Sequence, residues 1–272
     1  MSEKIDPFKE VNDRCNSGTN PEKAKIVGDL PDLVDIELTN RCNLTCPMCP
    51  TGRKELTRPR GFMKLRVFVD LLKVLKPHKI PIRLIRWGEP MLHPSFFEFL
   101  AVAKYYMLPV HLNTNGHYLD EDTIDVLGLF GLDSIKVSIH DDDEKVANAI
   151  KLLPKLKNCY THVSITSDEK GSHLITGTNV DKFSAYKTYW KGKEYPRLKN
   201  CPEVFNKLSV NWDGTVSACC ADYDNQMIVG DLKNNSLKEI WEGTALKEYR
   251  ELVLTEAHWC LPLCNGCYDL GV

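Results

Sequence analysis

No run of about 18 apolar residues occurs anywhere in the chain, so nothing in it reads as a membrane-spanning helix. The first residues, Met1-Ser-Glu-Lys-Ile-Asp, lack the apolar centre of a secretory leader, and a cytoplasmic protein is expected. Net charge is scarce too: 35 basic against 37 acidic side chains leave -2, with no global pull toward nucleic acid or membrane. Two local runs, basic over 53–66 and acidic over 141–144, read as solvated loops or helix starts rather than partner sites. Cysteine, by contrast, is plentiful. Eleven in 272 residues, in a compartment that disfavours disulfides, point to metal binding. Cys42, Cys46 and Cys49 form one group, and Cys201, Cys219, Cys220, Cys260, Cys264 and Cys267 form another. Only Cys15 and Cys159 stand alone, so two metal centres are expected.

The chain divides by pattern into three parts. Residues 1–30 are polar and turn-rich and predict an extension with at most one short helix. Residues 31–200 alternate short apolar runs with stretches of helical periodicity. Strands are predicted over 33–38, 82–87, 110–113, 134–139 and 162–165, and helices over 62–75, 94–107, 119–130 and 143–156. One further unit is left open between 166 and 200. Repeated β–α alternation implies parallel strands with helices packed outside and sites at the C-terminal strand ends. The expected fold is α/β, a partial (β/α)6 barrel of the TIM type. From 201 to 272 the character changes. Two alternating runs flank Asp213-Gly214, a hairpin signal, and 236–254 reads as one amphipathic helix opened by a Ser236/Glu239 capping box. With its clustered cysteines this is a small appendix stapled by metal.

The spacing C-x3-C-x2-C of Cys42, Cys46 and Cys49, directly after the first strand, places three soft ligands in one loop without a local fourth. Zinc normally takes a fourth ligand nearby, and only Glu55 stands close in sequence. A four-iron cluster held by three thiolates leaves one iron open for a small molecule.

On these residues the chain resembles the radical S-adenosylmethionine (SAM) enzymes. The resemblance implies that the methionine amine and carboxylate of SAM chelate the open iron, and that SAM cleavage yields a 5'-deoxyadenosyl radical that takes hydrogen from a substrate. Trp87-Gly88-Glu89-Pro90 is similar to the family's Gly-Gly-Glu-Pro turn, with Glu89 accepting from the methionine ammonium. Trp87 in place of the first glycine implies a backbone there without positive φ. Ser138 and Asn115 fall at neighbouring strand ends as further cofactor contacts, and Met48 takes the place of a residue that packs on adenine.

In the second group, Cys219 and Cys220 are adjacent in a predicted strand, so their side chains should point to opposite faces and only one should be a ligand. Six cysteines are too few for two all-thiolate four-iron clusters, and one auxiliary cluster is the economical count. The segment 201–269 resembles the Twitch domain, a shortened SPASM domain, in the form found in radical SAM dehydrogenation of an amino-deoxy-inositol. By that resemblance the auxiliary ligands are Cys201, Cys219, Cys264 and Cys267.

The expected activity is dehydrogenation of a small polar substrate, with two [4Fe–4S] clusters and SAM as cofactors and a flavodoxin or ferredoxin as electron donor. Alternatives are an epimerase or isomerase with Cys220 or Cys260 as hydrogen donor, and an enzyme modifying a peptide or nucleobase. Outside enzymes, the alternative is a zinc-binding interaction module.

Overall fold

The computed structural model describes residues 6–15, 27–46, 49–140, 144–166, 173–175 and 201–265. Its centre is one nine-stranded sheet in the order β6-β5-β4-β3-β2-β1-β7-β8-β9. The strands are β1 (Leu33–Ile36), β2 (Ile82–Leu84), β3 (Val110–Thr114), β4 (Ser134–Ile139), β5 (Tyr160–Thr166), β6 (His173–Ile175), β7 (Lys207–Val210), β8 (Thr215–Ser217) and β9 (Ile228–Asp231). β1 to β5 pair in parallel, each with its neighbour in sequence. Among the described residues the sheet does not close on itself, in agreement with an open, partial barrel. Beyond β5 the described strand β6 runs antiparallel, so it is not another β–α repeat.

Helices α2 (Leu65–Leu75), α3 (Phe96–Tyr105), α4 (Glu121–Phe130) and α5 (Glu144–Leu152) connect the parallel strands. Their local signals are those of the sequence. Asp120 caps α4 by accepting from the Thr123 N–H at 2.8 Å, and Gly131 ends that helix in the left-handed conformation. The helices bury Phe68, Leu72, Phe99 and Leu127 against Val34, Ile36, Leu84, Leu112, Ile135 and Val137 of the sheet in one continuous core. No helix is long and apolar enough to cross a membrane among the described residues.

The first described helix, α1 (Lys9–Cys15), is less detached than its polar sequence suggests. Phe8 and Val11 are buried with Leu33, and the Phe8 ring meets the His111 ring edge-on at 5.5 Å. Two apolar side chains suffice to dock the helix, because β1 and β3 present partners for them.

The C-terminal segment joins the same sheet. After α6 (Glu203–Asn206), β7 pairs in parallel with β1, and β8 and β9 extend that edge as antiparallel hairpins. The predicted single helix is two, α7 (Leu237–Trp241) and α8 (Thr244–Leu254). The capping box at Ser236 and Glu239 is present. The break falls at Gly243, whose backbone is extended and lies so close to α7 that an added Cβ would sit 2.9 Å from the Glu239 carbonyl oxygen. The basic run also differs from expectation, since it is not simply solvated. Arg58 is buried against Glu37, and Asp224 accepts from the Thr57 and Arg58 amides, so this strap fastens the parallel strands to the C-terminal extension.

Candidate active site

The thiol loop begins where β1 ends and is stitched to the ends of β2 and β3. The Arg41 carbonyl accepts from the Glu89 N–H at 2.8 Å, and the Thr51 hydroxyl donates to the Trp87 carbonyl at 2.5 Å. Gly88 is required by contact, not by dihedral angle. A Cβ there would lie 2.1 Å from the Thr39 carbonyl oxygen and 2.7 Å from that of Arg41. Trp87 has no positive φ, as its place in the turn implied. The strained backbone is one residue earlier, at Arg86 with φ 137. That twist ends β2 at Leu84, short of the predicted strand. Arg86 is held there by the Cys219 carbonyl at 3.2 Å, the Asn211 amide oxygen at 3.1 Å and the Asp222 carbonyl at 2.8 Å.

Glu89 is buried at the centre of this rim. Its carboxylate accepts from the Thr114 hydroxyl at 2.8 Å, the Asn115 N–H at 2.8 Å and the Met91 N–H at 3.1 Å. Burial nonetheless pushes its pKa up to about 7, against those three donors. Asn115 reaches across to the thiol loop, donating to the Asn43 side-chain oxygen at 2.8 Å and lying 3.9 Å from the Cys42 sulfur. Cys42, Glu89 and Asn115 are thus brought together. Ser138 is two strands removed from Glu89, its hydroxyl accepting from Ser164 on β5 at 3.2 Å. Met48 and Cys267 lie outside the described residues.

Cys42, Cys46 and Cys49 are all half-buried, neither sealed in the core nor fully exposed. Burial, reinforced by Glu89 and Cys49, pushes the Cys42 thiol up to about 11. The Leu44 N–H and the Asn115 amide both face its sulfur, the kind of donor that tunes a metal-bound thiolate. Among the described residues no three Cys, His, Asp or Glu side chains are already drawn to metal-ligand spacing. The donor set is the soft, three-thiol set that an iron–sulfur cluster takes, and it fits that group.

In the second group the expectation for Cys219 and Cys220 is corrected. β8 stops at Ser217, and both cysteines sit in the turn that follows. Strand alternation does not apply there, and the two thiols contact one another. Cys201 and Glu203 lie near enough to act on Cys219 electrostatically, and Glu203 is ion-paired to Lys207. Cys201, Cys219 and Cys264 all pack against the main core, whereas Cys260 is exposed.

Sequence reasoning missed Arg86, Asn43 and the polar character of the sheet's inner face. The last had a readable signal. Parallel strands covered on both faces should be almost continuously apolar, yet His111 and Asn113, Ser134, Lys136 and Ser138, and His162 and Ser164 put polar groups at alternate positions.

An open parallel barrel with a thiol trio at its rim, extended on one edge by a second thiol-bearing unit, is the architecture of an enzyme that works with SAM and iron–sulfur clusters. The Radical SAM superfamily model matches residues 36–158, and the model described as an iron–sulfur cluster-binding domain (SPASM) matches residues 201–268. The chain thus carries a radical SAM domain followed by an iron–sulfur cluster-binding domain, and the cofactors that go with them are SAM, a [4Fe–4S] cluster, and iron–sulfur in the second domain. This sets aside the zinc-binding interaction module. The chain is similar to S-adenosyl-L-methionine-dependent 2-deoxy-scyllo-inosamine dehydrogenase from Niallia circulans, 22% identical over 88% of this chain and 94% of that protein. It is 34% identical to PqqA peptide cyclase from Gluconobacter oxydans, but over 42% of this chain and only 32% of the relative. Among solved structures, BtrN in complex with AdoMet and 2-DOIA superimposes with a TM-score of 0.66 at 20% identity, covering 82% of this chain and 87% of that one. Native anSMEcpe with bound AdoMet gives 0.57 at 14% identity, covering 81% and 83%. At these identities the structural likenesses speak for the fold.

Proposed function

We propose that the chain is a radical SAM oxidoreductase that dehydrogenates a small polar substrate. Cys42, Cys46 and Cys49 would hold the SAM-binding cluster, and Cys201, Cys219, Cys264 and Cys267 one auxiliary [4Fe–4S] cluster. When bound, SAM and its cluster supply a 5'-deoxyadenosyl radical that abstracts a substrate hydrogen atom. This chain's part is to hold and enclose. Glu89 offers a carboxylate lone pair to the methionine ammonium while Thr114 and Asn115 fix its orientation. Trp87 and Gly88 form the close turn that positions it, Ser138 would be a further contact to the cofactor, and Met48 would be the residue that packs on adenine. A low-potential flavodoxin or ferredoxin would reduce the first cluster.

One observation carries the oxidative outcome. The Cys219 turn is tied by Arg86 to the turn that carries Glu89, which supports a redox group on those thiols working with this rim rather than in a detached appendix. An adjacent acceptor can take the second electron of a dehydrogenation. The full-length relative from Niallia circulans is a dehydrogenase, which supports the same outcome. The epimerase alternative finds less support at Cys260, which is exposed.

The test is anaerobic turnover with dithionite or flavodoxin, using 2-deoxy-scyllo-inosamine and related cyclitols. Substrate-dependent 5'-deoxyadenosine and a product two hydrogens lighter are expected. A product of unchanged oxidation state carrying solvent deuterium would establish the epimerase instead.

A further inference from the structure

Three cations taken into the interior of this fold meet a carboxylate. Arg58 pairs with Glu37, Arg83 with Asp35 and Lys207 with Glu203. Arg250 has no carboxylate, but its guanidinium lies over the Trp241 ring at 4.2 Å. Among the described residues Arg86 has neither an ion pair nor a ring contact.

The Arg86 guanidinium is nonetheless held firmly. Its two terminal nitrogens donate to the Cys219 carbonyl, the Asn211 amide oxygen and the Asp222 carbonyl, none of which carries a net charge. The Asp222 carboxylate is occupied otherwise, by the Ser217 hydroxyl at 2.7 Å and the Gln226 and Met227 N–H groups at 2.8 and 2.9 Å. Asn211 is fully buried, and its amide nitrogen donates to the Thr215 hydroxyl and the Asn225 side-chain oxygen, both at 3.0 Å. It therefore offers Arg86 a fixed acceptor. The remaining donor, Arg86 Nε, is buried and has no hydrogen-bond partner among the described residues.

This is a costly arrangement to build from protein alone. A charge taken out of water without a counter-charge is unfavourable, and the backbone at φ 137 adds strain to deliver it. The position suits an anion lying against the Cys219 turn. The soft thiols of Cys201, Cys219 and Cys264 fit an iron–sulfur group, and four thiolates around an iron–sulfur core make that group net negative. Taking up an electron makes it more so. Nearby charge and hydrogen bonds set the potential of such a group, so a fixed cation beside it favours the reduced form.

We propose that Arg86 is the counter-charge of the auxiliary cluster: it pins the Cys219 turn and raises the potential at which that cluster takes up an electron. It acts as a positioning residue, through Cys219. The inference rests on the oxidoreductase reading above, with Cys219 as an auxiliary ligand, and deepens it, because an acceptor that is easier to reduce suits a dehydrogenation.

The experiment is anaerobic protein-film voltammetry of the reconstituted full-length protein as wild type, Arg86→Lys, Arg86→Gln and Arg86→Gly. The rim cluster is recognised by the shift of its wave when SAM is added. The glutamine and glycine variants remove the charge, and glycine also suits the backbone angle. In both, the auxiliary midpoint should fall by at least a tenfold change in the one-electron equilibrium constant, about 59 mV, and the rim midpoint by less. The lysine variant should stay closer to wild type than either. An auxiliary midpoint unchanged in the glutamine and glycine variants, or lowered as far by lysine, overturns the proposal. So does a loss of SAM affinity in the glutamine variant with the auxiliary midpoint unmoved, which would assign the guanidinium to the SAM carboxylate. If the glutamine and glycine variants do not retain the auxiliary cluster, iron analysis decides. A lysine variant that retains it supports the counter-charge, and equal loss in all three overturns it. A wild type holding a single cluster, about four irons per chain, defeats the auxiliary-cluster reading itself. Two clusters with an auxiliary midpoint indifferent to Arg86 defeat this inference alone.

Discussion

Arg86 donates to the Cys219 carbonyl at 3.2 Å, joining two segments 133 residues apart in sequence. It does so from a backbone angle that only glycine adopts without cost, so three hydrogen bonds hold a strained residue in place. The turn carrying Glu89 and the turn carrying Cys219 are therefore fastened to each other.

That relationship makes a double prediction. Arg86→Ala keeps the strain and loses the bonds, whereas Arg86→Gly loses the bonds and relieves the strain. Both variants should be less stable than wild type, with the glycine variant about 1 kcal/mol more stable than the alanine variant in urea titrations. Equal stability of the two would show that the angle is not strained.

Gly88→Ala should destabilise the protein by about 3 kcal/mol, at the upper end for overpacking, because the clash is with the Thr39 and Arg41 backbone rather than with a movable side chain. Thermal unfolding measures this. Iron content after reconstitution should fall in parallel, because the same contact positions the thiol loop.

Glu89→Gln replaces one carboxylate oxygen by an amide N–H donor, which leaves without an acceptor either the Asn115 N–H, bonded to Oε2, or the Thr114 hydroxyl and Met91 N–H, which share Oε1. The expected cost is about 1–3 kcal/mol in stability. SAM affinity should drop at least about tenfold, since a hydrogen bond to a charged acceptor contributes about 1.5–3 kcal/mol. Equilibrium dialysis with labelled SAM checks the second figure independently of turnover.

His111 gives a pH dependence of definite sign. Burial, with Arg83 adding to it, pushes its pKa down to about 3. At pH 7 it is neutral both folded and unfolded and has no effect on stability. Below about 6.5 the unfolded chain takes up the proton and the folded chain does not, so stability falls as pH falls toward 3. The slope approaches about 1.4 kcal/mol per pH unit for one histidine, and His162, near 4, adds to the upper part of that window. Denaturant titrations between pH 7 and 5 should show this loss, and His111→Asn should flatten it by up to about one proton.

Much of the fold could be read from short-range pattern. The five parallel strands, the hairpin at Asp213-Gly214, the Asp120 cap and the Ser236–Glu239 capping box all follow rules that span a few residues. The misreadings also have local causes. The 236–254 stretch keeps helical periodicity through Gly243, so the break shows only where α7 and the following backbone meet. The turn after β8 begins before Cys219, and nothing in the alternation of 215–219 marks where the strand stops.

By itself the sequence determined the chemistry class, because ligand type and loop spacing are covalent properties: Cys42, Cys46 and Cys49 must fall together wherever the chain goes. The Gly88-Glu89-Pro90 turn and the alternation of strand and helix were likewise present in one dimension. Only the tertiary structure decided what lies beside that loop. The Arg86 tie to Cys219 and the Asn115 reach to Cys42 depend on strand order and register. Those are set by burying Val34, Leu84, Leu112 and Val137 in one core, a long-range condition that no single stretch of the chain encodes.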